Sequence, residues 1–410
     1  MIQTTFRVEG VADRGDRGPH ENQDIAKRHV VRGNAAGSEA AGAAAYGRGQ
    51  SELSLSLIMP TVSWTGAFSA CGRRALAAVE QAAGAAELIV VFDGLPPPRP
   101  SWLDRPGVTV LKTGRRLGPA TARNLAAGTA RGRILFFVDA DVEISMDALD
   151  RVISAFDADP DLAGIFGAYD DEPAADGVVS RFRNLLHHHT HVAHPGRAGT
   201  FWSGCGAIAT PVFLDVGGFD ESYRLPSVED IELGMRVAAE NRRITLDPDL
   251  RCKHLKQWTF SNMIVADVMH RATPWTKLIL SSRHLPTTLN IDWIGRISGI
   301  SVVILVASLL ASSLVPAARW VALASALTLA ALNLSFYRLC LRKGGLGFAI
   351  SSFALHALFF LYSTITFGVV VLRRCLNPLP GPGSCQHPIS DQNTPATAHV
   401  GLSAPTGPLR

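Results

Sequence analysis

Two aspartates, Asp139 and Asp141, stand two residues apart at the end of the apolar run Ile134–Val138. Such a run, mostly β-branched or aromatic, reads as a strand buried on both faces. The C-terminal end of a buried strand is where open α/β sheets bind ligands. Like charges this close repel, and a hard divalent cation would relieve them. Mg²⁺ typically takes one or two carboxylates together with substrate phosphates. Taken alone, Asp-x-Asp is more often a strand running into an acidic turn, so the other candidates must carry the choice.

Asp93 ends a second buried run, Glu87–Phe92, just as Asp139 ends the later one. It could accept from a base N–H or a ribose hydroxyl, or simply form an Asp-Gly turn with Gly94. In Gly118-Pro-Ala-Thr-Ala-Arg-Asn124, Pro119 suits a first helical position and Arg123 lies one turn in. That helix start and its guanidinium suit a phosphate or a base edge, against the plainer reading of a surface arginine. Phe201-Trp-Ser-Gly-Cys-Gly-Ala207 is a small-residue loop led by aromatics, in which Trp202 and Gly204 could border a ligand. Ser227-Val-Glu-Asp230 precedes a helical pattern. Its acids suit a helix start in any case, whereas the functional reading makes Asp230, with Glu229 beside it, a general base. His254 could complete a metal site or bind phosphate. The cluster His187, His188, His189, His191 and His194 is too dense for one ordered face, and a metal role there is not expected.

These residues need elements to position them. Within the 410-residue chain, residues 53–260 alternate strand and helix patterns, which implies an α/β domain with a mostly parallel sheet covered by helices on both faces. Leu55–Met59, Glu87–Phe92, Val108–Lys112 and Ile134–Val138 read as strands; Arg73–Ala83, a helix opening at Pro119 and one from Ser145 read as helices. Residues 1–52 and 375–410 read as disordered extensions, the first with no secretory h-region. Residues 261–294 read as an interfacial linker, and 295–374 as about three membrane spans. The spans rest on the apolar runs Ile297–Pro316, Val321–Leu341 and Phe348–Leu372, each near the length that crosses a bilayer. Lys277, Arg283 and Arg296 ahead of the first run put the α/β domain on the cytoplasmic side of an inner (plasma) membrane, although Arg373 and Arg374 break a strict alternation. A net charge of +4 is too mild to argue for nucleic acid. The scattered cysteines carry no zinc or disulfide spacing.

In combination and in this order, the motifs resemble the family-2 glycosyltransferases of the GT-A fold, inverting enzymes that use nucleotide sugars. The resemblance runs from Ser56–Pro60 through Glu87–Gly94, Gly118–Asn124, Asp139-Ala-Asp141 and Gly217-Gly-Phe-Asp220 to Glu229-Asp230. It implies a nucleotide-sugar donor held near Pro60, Asp93, Gly118, Arg123, Asp139, Trp202 and Gly204. It implies a divalent ion, Mg²⁺ or Mn²⁺, at Asp141 with Asp139 and His254, and Asp230 in the catalytic-base position. The acceptor would be a hydroxyl, on a lipid-linked molecule given the spans that follow. Two departures matter. The family usually carries two acids after strand two, and Phe92 replaces the first. The Gln-x-x-Arg-Trp motif of processive synthases is absent, since Arg271-Ala-Thr-Pro-Trp275 does not match it, and this favours single-sugar transfer over polymer synthesis. A non-catalytic nucleotide-sugar-binding protein is the reading from another class.

Overall fold

The computed structural model describes residues 53–82, 85–282 and 292–376. The expected extension over 1–52, the expected tail beyond Leu376, Arg283 and the last residue of the helix expected at 73–83 lie outside these. The strands are β1 (Leu55–Thr61), β2 (Ala86–Phe92), β3 (Val108–Lys112), β4 (Ile134–Val138), β5 (Val142–Ile144), β6 (Leu162–Tyr169), β7 (Gly196–Ala198), β8 (Cys205–Ala209) and β9 (Arg243–His254). The helices of the same region are α1 (Gly66–Gln81), α2 (Pro119–Ala127), α3 (Ala148–Ala158), α4 (Val178–Val192), α5 (Thr210–Asp215) and α6 (Glu229–Ala239).

The sheet order is β3-β2-β1-β4-β8-β6-β9-β5, with β7 on β9. β1, β2, β3 and β4 pair in parallel, so Thr61, Phe92 and Val138 end at one edge of the sheet. Beyond β4 the sheet is mixed: β8 runs antiparallel to both β4 and β6, while β6 and β9 are parallel. The mostly parallel reading therefore holds for the first half. It fails for the second, because β8 lies in the expected small-residue loop, where short Gly and Ala positions hide the strand pattern.

Alternate residues of the central strands feed two cores. Leu57, Met59, Phe136 and Val138 meet Phe68 of α1 and Val152 of α3. Ile58, Leu135 and Phe137 meet Ala120 and Ala126 of α2, Phe219, and Leu233 of α6. Each fully buried large side chain is worth roughly 1.5–3 kcal/mol. Glu87, in the middle of this apolar sheet, is tolerated because Arg131 holds it: the guanidinium donates to Oε2 from Nε at 3.0 Å and Nη2 at 2.8 Å. Helix α1 begins seven residues ahead of the expected Arg73, because Thr65 caps it by accepting from Phe68 N at 3.0 Å.

After the sheet come α7 (Phe260–Val265), a π-helical turn over Ala266–Ala272, and α8 (Thr273–Ser281), followed by α9 (Trp293–Ala311), α10 (Ala318–Leu332) and α11 (Leu334–Leu376). Two of these, α9 and α11, are long and apolar enough to cross a membrane; α10 is shorter. The second expected span is split at Asn333, which is buried and donates to Ser298 Oγ at 3.0 Å and Leu329 O at 2.9 Å. Helix α11 itself bends at Gly345, whose φ is +73°. Phe182 and Leu185 of α4 pack on Met263, Phe336 and Leu339, so α4 joins the sheet to the apolar helices. Arg183 reinforces that joint through a buried pair with Asp267 at 2.9 Å.

Candidate active site

Asp93 leaves the end of β2 with its side chain buried, and its neighbours consume it. Oδ1 accepts from Leu117 N at 2.8 Å and Thr113 Oγ1 at 2.9 Å; Oδ2 accepts from Gly118 N at 3.0 Å. Asp93 thereby braces the loop that leads into α2. Gly118, the N-cap of α2, sits at φ +98°, and a Cβ there would come within 2.6 Å of the Arg224 carbonyl oxygen. Only glycine meets both conditions. Pro60, near the end of β1, is half-buried and in register with Val91.

Arg123 is held just as closely. Far from offering a free guanidinium to a phosphate, it is 4% exposed and bridges two acids, with Nη1 to Glu229 Oε1 at 2.9 Å and Nη2 to Asp139 Oδ1 at 2.7 Å. Burial acts to lower its pKa, but the charges of Asp139 and Glu229 outweigh burial and raise it. Asn124, the next residue, clamps the Gly217-Gly-Phe-Asp220 turn. It accepts from Phe219 N at 2.9 Å and donates to Phe219 O at 2.8 Å. Phe219 in turn supports the Arg123 guanidinium, 5.4 Å from its ring centre. One helix start thus carries both the ion-pair bridge and the clamp.

The cation expected between the two aspartates is partly supplied by the protein. Asp139 has Arg123; Asp141 has His254, whose Nε2 lies 3.6 Å from Oδ2. Burial acts to raise the Asp141 carboxyl, but His254 and Lys256 hold it below the usual range. His254 reaches this place because β5 pairs antiparallel with β9, Val142 opposite His254. Tyr169 stacks on its imidazole at 4.6 Å. Among the described residues, no three His, Cys, Asp or Glu side chains converge as a metal cluster. Of the three residues expected at the metal, Asp141 and His254 face each other and Asp139 pairs with Arg123. A carboxylate and an imidazole that leave other positions to a ligand's phosphates suit Mg²⁺ or Mn²⁺. Asp139 and Asp141 keep 38% and 35% of their side chains exposed, so both face solvent.

Asp230 begins α6 one residue after Glu229. Its Oδ2 accepts from Ser203 N at 3.0 Å, and its Oδ1 accepts from Ile231 N at 2.8 Å. Burial, and next the charge of Glu229, push its carboxyl up to about 6. Glu229, expected to share the basic role, is 4% exposed and pairs with Arg123 and accepts from Ser227 N at 2.8 Å. Gly204, expected to let a ligand approach, instead makes room for Trp202, whose indole a Cβ would meet at 2.6 Å. Its carbonyl accepts from Asp139 N at 3.2 Å, tying β8 to the Asp-x-Asp turn. Trp202 is packed edge-on to Tyr169 at 5.0 Å and beside His187 at 4.6 Å.

His187 packs on His191, with ring centres 4.0 Å apart, and the other ring nitrogens of α4 find separate partners. His188 and His191 ring nitrogens meet the carbonyls of Tyr169 and Gly167 at 2.7 and 2.8 Å, and His189 reaches Ser335 Oγ at 2.9 Å. Ser203 and Tyr169 escaped sequence reasoning. Ser203 lies inside a stretch already singled out, but nothing in its spacing points to Asp230. Tyr169 ends a strand that carries no acidic signal.

Residues 71–212 match the family model described as Glycosyl transferase family 2. No curated protein matches the chain. Among solved structures, it is similar to the mannosyltransferase PcManGT from Pyrobaculum calidifontis in complex with GDP-Man and Mn²⁺. That match has 16% identity and a TM-score of 0.46, and covers 78% of this chain and 86% of that one. It is also similar to GalNAc-T7 with UDP, GalNAc and Mn²⁺, at 14% identity and a TM-score of 0.40, covering 54% of this chain and 48% of that one. S. aureus TarS matches at 17% identity and a TM-score of 0.38, over 57% of this chain and 40% of that one.

Proposed function

We propose that the chain is a family-2 glycosyltransferase of the GT-A fold that moves a single sugar from a nucleotide-sugar donor to a hydroxyl of a lipid-linked acceptor at the cytoplasmic face of a membrane, with inversion, a reading supported by the family match over residues 71–212. The observation that carries this reading is Arg123. One buried guanidinium ties Asp139 to Glu229, next to Asp230, so the donor-side acid and the base are held side by side.

Pro60, Asp93 and Gly118 form the nucleotide side, where Asp93 holds the loop in shape. Asp141 and His254 would hold a Mg²⁺ or Mn²⁺ ion, which when bound supplies charge neutralisation for the departing diphosphate. Asp230 accepts the proton of the acceptor hydroxyl as that oxygen attacks the anomeric carbon from the face opposite the leaving group. A carboxyl raised to about 6 is still ionised at neutral pH yet basic enough to take that proton. Ser203 fixes its orientation, and Trp202 and Gly204 close the cleft behind the sugar. The membrane part of the reading is supported by α9 and α11, and by Phe260, Val265 and Met269, exposed on α7 and the π-helical turn. Arg271 and Lys277 follow in the same stretch, as suits an interfacial surface.

The test is titration of the detergent-purified full chain with UDP, GDP and TDP, with and without Mg²⁺ or Mn²⁺, repeated on Asp141→Asn. Metal-dependent binding of one nucleotide, lost in the variant, is the expected result. If no nucleotide binds under any metal condition, the reading falls.

A further inference from the structure

A histidine that ligates a metal ordinarily gives its second ring nitrogen to a carboxylate, a carbonyl or a water, which fixes the tautomer and the plane of the ring. His254, the last residue of β9, has no such partner among the described residues. Its Nε2 stops 3.6 Å from Asp141 Oδ2, beyond hydrogen-bond reach, and its Nδ1 meets no acceptor there. The backbone is well placed, by the pairing of Val142 with His254 and by Leu255 N, which donates to Asp141 O at 2.8 Å. Neither contact fixes the side-chain torsions, so something else must hold the imidazole.

What meets the ring is a face. Tyr169 lies 4.6 Å from it, centre to centre, with 9° between the planes, a separation at which stacked aromatic pairs attract. Among the described residues the other ring near His254 is Trp258, 6.5 Å away and tilted by 50°. Tyr169 is itself held. It ends β6, whose parallel pairing with β9 sets it opposite Cys252, one same-face step before His254. Its carbonyl meets His188 Nδ1 at 2.7 Å. It is 9% exposed, with Trp202 edge-on at 5.0 Å and His187 at 4.0 Å. His187 belongs to α4, the helix that packs on α11 through Phe182 and Leu185. The Tyr169 hydroxyl has no hydrogen-bond partner among the described residues, so the fold uses the ring and not the oxygen.

Resting on the reading of Asp141 and His254 as the metal pair, we infer that Tyr169 positions His254: its ring face stands in for the missing hydrogen-bond partner and holds the imidazole with Nε2 toward Asp141, where a Mg²⁺ or Mn²⁺ ion would be taken. Tyr169 acts through His254, so its effect should depend on a flat ring at position 169 and on an imidazole at position 254. A residue that merely filled space would show neither dependence.

The experiment is titration of the detergent-purified full chain with Mn²⁺ alone, followed by the electron paramagnetic resonance signal of free Mn²⁺, for the parent, Tyr169→Phe, Tyr169→Leu and His254→Ala. Tyr169→Phe keeps the face and should bind within about twofold of the parent, whereas Tyr169→Leu should bind about tenfold or more weakly, the scale of a lost outer partner of a metal ligand. In a His254→Ala background, Tyr169→Leu should change affinity by less than about twofold, because nothing is left for it to act through. Tyr169→Met, flexible enough to fill the same space without a flat face, replaces the leucine variant if that one melts far below the parent. Equal losses in Tyr169→Phe and Tyr169→Leu would make the hydroxyl the acting group and overturn the inference. So would parental affinity in Tyr169→Leu, or an effect that persists in full without His254. Mn²⁺ binding that Asp141→Asn abolishes and Tyr169→Leu leaves unchanged sinks this inference and leaves the metal pair standing. No Mn²⁺ binding by the parent, or parental binding by His254→Ala, removes the metal pair as well.

Discussion

Replacing Asp230 by asparagine should stop catalysis and, at neutral pH, make the protein more stable. Its carboxyl is raised from 3.8 to about 6 by burial and then by Glu229, while Ser203 N–H and Arg123 pull the other way and lose. A base must be ionised to act, so transfer should show an acid limb centred near pH 6, with about a tenth of the base ionised at pH 5. Losing it costs on the order of 10²- to 10⁴-fold in rate. For stability the sign reverses. The folded state binds this proton more tightly than the unfolded chain does, so the associated stability is full below about pH 4 and lost as pH rises through 6. A gap of about two units corresponds to about 3 kcal/mol at most. Asparagine stays neutral at every pH and resembles the protonated state. Asp230→Asn should therefore melt several degrees higher than the parent at pH 7.5, with the difference shrinking between pH 6 and pH 4. Thermal melts of both proteins across that range, beside rate profiles of the parent, are the assay. A variant that melts no higher at pH 7.5, or a parent without an acid limb near 6, would refute the reasoning.

Two further substitutions test the frame around that base. Arg123→Ala leaves Glu229 buried with no counter-charge and should destabilise by roughly 3–5 kcal/mol, read as a lower melting temperature, with Arg123→Lys recovering part of it. Gly118→Ala must strain a left-handed residue and push against the Arg224 carbonyl, a cost of about 1–3 kcal/mol or more. It should weaken nucleotide binding in titration more than it changes affinity for the metal ion alone.

Local pattern sufficed for much of the catalytic domain. β4 falls where the apolar run places it, because a strand buried on both faces is apolar without interruption, and β3, half-exposed, also matches its short pattern. Asp139 and Asp141 stand just past the end of β4 and Asp230 at the start of α6, as the local pattern of apolar run and helix start places them. What no local pattern contains is pairing. Arg123 looks available to a phosphate until Glu229, 106 positions away, is folded against it. Asp93 looks available to a base until the amides of Leu117 and Gly118 close on it. β8 went unread because small residues pack against Trp202 and Phe201 in three dimensions, so its glycines look like a loop in one. His254 meets Asp141 only through the antiparallel pairing of β9 with β5. Residue type and spacing decided which groups could do chemistry. The tertiary fold decided which of them were left free to do it, because a buried charge must find a partner and the partners lie far apart along the chain.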